Sequence, residues 1–218
     1  MEKEGFKGGW HPLYLWAIVC VTLSYIGPFL TFKLVNIQEI PLTVGLFGPL
    51  LIPLLLPVIN TIIAVALRNK VHRYYFLNTA MLMKYMLIPY HIVAYCLAFL
   101  FAIGNMLLFV LIMFSGFMMA IGVCITDWLV MAESIPFMFV FLKDSSMGNL
   151  NRKTYVTVMR VLQFFPVVSL VSSMVAALKE KRCIVMTVVA VIVAILIILA
   201  IILLVVLGIA GAVLSNLG

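Results

Sequence analysis

The chain has 218 residues, 66% of them hydrophobic and 10% charged, with a net charge of +7 from 14 Lys and Arg against 7 Asp and Glu. Soluble globular domains carry about 25% charge, so the composition excludes a water-solvated domain, and the longest polar stretch, Lys143 to Thr154, is only a loop. The basic residues cluster at the ends of apolar runs, which reads as topology and contact with anionic headgroups rather than nucleic-acid binding.

The expected fold is an all-α, polytopic membrane helix bundle of six or seven spans forming one domain. The first run, 13–32, follows a start that mixes Glu2 and Glu4 with Lys3 and Lys7. That start lacks the layout of a cleaved signal peptide, so the span is expected to stay.

The second run, 41–67, holds Pro49, Pro53 and Pro57 at every fourth residue. An interior helical proline costs about 3 kcal/mol, so three in one helix would cost on the order of 9 kcal/mol. A helix entered at Pro53 places that residue in the first turn, leaves Pro49 in a linker and keeps only Pro57 inside. Gly45, Pro49, Pro53, Pro57, Asn60 and Ala64 then share one face, which must avoid lipid because freed carbonyls persist at membrane depth only in protein or beside a cavity. Such a face suits either a tightly packed kinked helix or a discontinuous helix lining a solute path.

The third run, 77–101, sets Lys84, His91 and Tyr95 on one helical face, with Pro89 opening the backbone beside them. Lys84 snorkelling to the headgroups and His91 as a hydrogen-bonded core residue are the plainer readings. Runs 105–125 and 128–142 cannot form one helix within the bilayer, since 38 residues would reach about 57 Å against a core of about 30 Å. A turn near Thr126 and Asp127 is therefore expected, with Asp127 capping the next segment and the short run either crossing or re-entering. Glu133, just before Ser134 and Pro136, is the acid assigned a function, and it and Asp127 are natural partners for Lys84, His91 or Arg160.

The sixth run, 155–178, begins with Arg160 and Gln163 as interfacial anchors, and the last, 184–214, has no charge and reads as a tilted, lipid-facing helix. With seven crossings, Lys3, Lys7, Arg68, Lys70, Arg73, Lys179, Lys181 and Arg182 lie inside, against Lys33, Lys143, Arg152 and Lys153 outside. The positive-inside rule then places the N-terminus in the cytoplasm, of the plasma membrane by expectation, and gives the same balance for six crossings.

No catalytic motif, metal site or cofactor fingerprint appears. His91 and Cys96 point about 140° apart on a helix, and Cys20, Cys96, Cys124 and Cys183 have no paired spacing. The function expected is therefore non-enzymatic: a small permease, or a membrane subunit of a transport complex, with Pro49, Pro53, Pro57, Asn60, Lys84, His91, Tyr95 and Glu133 along the solute path. It would draw on an ion gradient, or on a cytoplasmic ATPase or other membrane subunit docked on Arg68, Lys70, Arg73, Lys179, Lys181 and Arg182. The rival is an interaction protein, such as an immunity, sensing or assembly factor, whose bundle is simply filled.

Overall fold

The computed structural model describes residues 9–35, 51–104, 110–144 and 153–215. Among them there are nine helices and no strand. Helix α1, Pro12–Val35, starts on a proline whose missing N–H costs nothing at that position and carries Pro28 inside. Helix α2, Leu51–Leu67, has Pro53 in its first described turn and Pro57 inside, and buries Pro53, Leu56, Asn60 and Ala64. Of the inward face read from the sequence, Pro53, Asn60 and Ala64 are buried and Pro57 is half-buried; Gly45 and Pro49 lie outside the described residues.

The third run is not one helix. Helix α3, Arg73–Met86, ends at Leu87, and α4, Ile88–Gly104, continues at a bend of 43°. Pro89 supplies no N–H to bridge the join, while the Leu87 N–H turns back to the Met83 carbonyl at 3.0 Å. The turn expected at Thr126 and Asp127 is displaced. Helix α5, Val110–Ala132, runs through both residues, and the break falls at Glu133 and Ser134, before α6, Ile135–Asp144, at a bend of 40°. Pro136, two residues beyond, is a stronger breaker than the polar Thr126–Asp127 pair, whose side chains a helix tolerates.

The sixth run also differs from expectation. Helices α7, Lys153–Leu162, and α8, Pro166–Lys179, are separated by the turn Gln163 to Phe165, with Pro166 opening α8. A straight helix would put Tyr155 and Lys179 about 36 Å apart. Instead the Lys179 Nζ sits 3.8 Å from the centre of the Tyr155 ring. The chain doubles back, and α7 and α8 form a helical hairpin with its tip at Gln163 to Phe165.

Helix α3 is the centre of the bundle. It packs against α1, α6, α8 and α9, and its Phe76, Leu77, Met81 and Met83 meet Phe137, Met138, Phe141 and Leu142 of α6 in a filled core. The Phe76 and Phe137 rings stack at 6.4 Å. Helix α9, Ile184–Ser215, is apolar except for Thr187 and Ser215, and only 6% of its Ile184–Leu207 window is buried, so its outer side faces away from the bundle. Two helices, Pro12–Leu30 of α1 and Ile184–Leu207 of α9, are long and apolar enough to cross a membrane; counting each bent pair as one span gives four. This is the coarse architecture expected of a membrane helix bundle.

Candidate functional site

The hairpin tip meets the end of α3 at Lys84, which is 3% exposed. Its Nζ donates to Gln163 Oε1 at 2.5 Å, to Ser169 Oγ and Ser173 Oγ at 2.6 Å each, and reaches the Ser169 carbonyl at 3.2 Å. An ammonium has three donors and here faces four oxygens, all neutral. Removing such a charge from water costs several kcal/mol unless hydrogen bonds replace the solvent, and this cage is the replacement. Lys84 therefore neither snorkels nor pairs with Asp127 or Glu133, contrary to the sequence reading. Gln163 is no interfacial anchor but the centre of the cage: its Nε2 donates to Ser172 Oγ at 2.9 Å and to the Met159 carbonyl at 3.3 Å.

At the α5–α6 break, Glu133 is fully buried. Ser24 of α1 donates to its Oε1 at 2.8 Å, while its Oε2 has no partner among the described residues. Asn60 of α2 binds the same turn from the other side. Its Nδ2 donates to the Glu133 carbonyl at 2.9 Å, and its Oδ1 accepts from Trp16 Nε1 at 2.6 Å and from Cys20 Sγ at 3.6 Å. One amide thus joins α1, α2 and the α5–α6 turn.

Asp127 caps nothing. It is buried inside α5, with Oδ1 2.6 Å from His91 Nδ1 of α4. Tyr95 lies beside the same carboxyl and is 38% exposed. The stripe expected of Lys84, His91 and Tyr95 is thereby divided: the bend at Leu87 sends Lys84 to the hairpin and His91 and Tyr95 to α5.

Each break frees a carbonyl, and each of these freed carbonyls finds a donor on a neighbouring helix. Tyr25 Oη donates to the Met86 carbonyl at 2.9 Å, Asn60 to that of Glu133, and Trp128 Nε1 to that of Phe164 at 2.9 Å. Buried backbone acceptors demand partners, and in an apolar bundle only side chains can provide them.

The basic residues proposed for docking come together at one end of the bundle. Arg73 Nη2 lies 3.7 Å from Glu180 Oε2, which also accepts from Tyr74 Oη at 3.1 Å, and Arg73 and Arg182 both lie over the Tyr74 ring. Arg73 and Arg182 thus hold the hairpin to α3, while Lys179 lies over Tyr155 within the hairpin and is exposed, as are Lys70 and Lys181, and Arg68 is half-buried. A surface groove of about 550 Å³ between α4 and α5 is lined by Ala98, Phe99, Phe117, Ala120 and Ile121 among others and is almost wholly apolar. It lies apart from the Lys84 cage.

Ser169, Ser172 and Ser173, absent from the sequence-based candidates, form the buried face of α8 with Ala176 and Ala177. Their spacing after Pro166 is the signal: small polar residues at helical intervals in an apolar run mark a close helix contact. Ser24 left no comparable sign, since its partner is 109 residues away. Comparison of the chain with protein-family models, with curated proteins and with solved structures finds no match in any of the three.

Proposed function

We propose that the chain is a multi-pass membrane protein that moves a small solute, as a permease or as the membrane subunit of a transport complex. The observation that carries this reading is the α7–α8 hairpin, whose tip ends on the buried Lys84. In a bilayer, helical hairpins that turn back at depth are tolerated only inside protein or beside a watery path, and an ionisable residue at that depth marks function by default.

Under this reading α1, α2, α3–α4, α5–α6 and α9 cross the bilayer and the hairpin re-enters, replacing six or seven crossings by five and a re-entrant pair. The charge distribution supports it. Lys3, Lys7, Arg68, Lys70, Arg73, Lys143, Arg152, Lys153, Lys179, Lys181 and Arg182 then share the N-terminal side, with Lys33 alone opposite. That is a sharper positive-inside balance than either count of full crossings, and it puts the N-terminus in the cytoplasm. Glu133, whose Oε2 has no partner among the described residues, is the group through which an ion gradient would act; exposed Lys70 and Lys181 offer the surface for a soluble partner such as an ATPase.

A second reading has its own support: the filled contact of α3 with α6 suits an interaction protein of the immunity, sensing or assembly kind. The test places a single cysteine at Ser169 in an otherwise cysteine-free chain in native membranes. A membrane-impermeant thiosulfonate that reaches it, together with solute counterflow in proteoliposomes that Glu133→Gln abolishes, supports passage. A cysteine that stays unreactive in a folded protein without counterflow supports the filled alternative.

A further inference from the structure

We propose that the turn of the α7–α8 hairpin is a binding site for a small ammonium-type monovalent cation, occupied in this structure by the amine of Lys84. The cage is built within one short stretch of chain. Ser169 Oγ donates to Gln163 Oε1 at 3.1 Å, and Ser173 Oγ, which donates its one proton to the Ser169 carbonyl at 2.7 Å, lies 3.2 Å from the same Oε1. Gln163 is fixed in turn by Met159 and Ser172. These contacts span at most ten residues, whereas Lys84 arrives from α3, at least 79 residues away in the sequence. The hairpin supplies the receptor, and α3 supplies a tethered guest.

The chemistry selects the class of guest. Four oxygens at 2.5 to 3.2 Å around one nitrogen match N–H donors. All four are neutral, so the cage can solvate one positive charge but offers nothing to balance two. Calcium or magnesium would require carboxylates, and magnesium also a near-octahedral set at about 2.0–2.1 Å. Because Lys84 is held only by neutral groups, exchanging its amine for a free ammonium leaves the charge of the site unchanged. The assignment stands whether or not the chain moves a solute.

The experiment removes the guest and returns it. Lys84→Ala protein is purified in detergent, and its thermal unfolding is followed in ammonium, methylammonium or tetramethylammonium chloride at equal ionic strength. Ammonium and methylammonium raise the melting temperature of the variant by several degrees, tetramethylammonium, which has no N–H, does not, and the wild type shows no such selectivity. Adding Ser173→Ala to the variant abolishes the effect. An equal response to all three salts, or an equal response of the wild type, overturns the proposal. Should Lys84→Ala yield no folded protein, Lys84→Val, which keeps part of the apolar stem and stops short of the cage, is judged by the same selectivity.

Discussion

Removing either side of the Lys84 contact should have unequal effects, and the inequality measures what the cage does. Gln163→Leu deletes the acceptor at 2.5 Å from Nζ while leaving the ammonium buried, and also deletes the amide donors to Met159 and Ser172. A hydrogen bond to a charged group contributes about 1.5–3 kcal/mol, and stranding a buried charge adds to that, so the expected loss is about 3 kcal/mol. Lys84→Met removes the charge but keeps most of the stem volume. The serine hydroxyls already reach Gln163 Oε1 and the Ser169 carbonyl, so the emptied cage satisfies itself. Replacing a buried charge by an apolar residue of similar volume is often neutral, and the expected change is about 1 kcal/mol or less. Helical content followed against temperature in detergent separates the two variants by about 4–8 °C, at 2–4 °C per kcal/mol for a chain of this size. A Lys84→Met protein that melts below Gln163→Leu would refute the reasoning, because the ammonium itself would then be the stabilising element.

Asn60→Ala cuts three side-chain contacts among α1, α2 and the Glu133 turn; the expected loss is about 2–3 kcal/mol, measured by the same melting curves. Lys181 takes a left-handed φ of 54° just after α8, where the Arg182 N–H reaches back to the Ala177 carbonyl at 2.9 Å; glycine is the usual residue at this helix-ending position, so Lys181→Gly should stabilise by about 1 kcal/mol and raise the melting temperature. Trp128→Phe frees the Phe164 carbonyl at the hairpin tip and should cost about 1 kcal/mol, with amide hydrogen exchange quickening at 163–169 before it does in α3. In right-side-out and inverted vesicles, single cysteines at Lys70 and Lys181 should label from the same face and one at Ser215 from the other; labelling of Lys70 and Lys181 from opposite faces would remove the re-entrant hairpin.

Much of the architecture was legible because hydrocarbon allows few solutions. Run lengths place the apolar helices, and the proline spacing of α2 points to the side that buries Pro53, Asn60 and Ala64. What composition hides is where a run is interrupted. The third run carries Pro89 and the sixth Pro166, yet neither shows a polar gap, so both read as continuous spans. The reverse error occurred at Thr126 and Asp127, where polarity suggested a turn and a neighbouring histidine made it unnecessary. Lys84 was legible as an ionisable residue within a span, but snorkelling is its plainer reading from sequence, and its partner leaves no sign there. Opposite charge is the obvious guess, whereas the hairpin offers serines and an amide that look like ordinary helix-packing residues until the chain doubles back.

The polar side chains of this bundle divide by the job that the backbone sets them. Tyr25, Asn60 and Trp128 each donate to a carbonyl that a break in another helix has freed, and apolar surroundings leave those carbonyls no other partner. Their presence follows from the breaks and implies nothing about a ligand. Lys84 and Glu133 repair no break with their charged ends. The amine is held wholly within the hairpin's cage, and the carboxyl takes one hydroxyl and keeps Oε2 unpartnered among the described residues. Burying either group costs stability that a Met or Leu would not, and no backbone requirement compels it. The breaks therefore explain the shape of the interior but not the burial of these two residues.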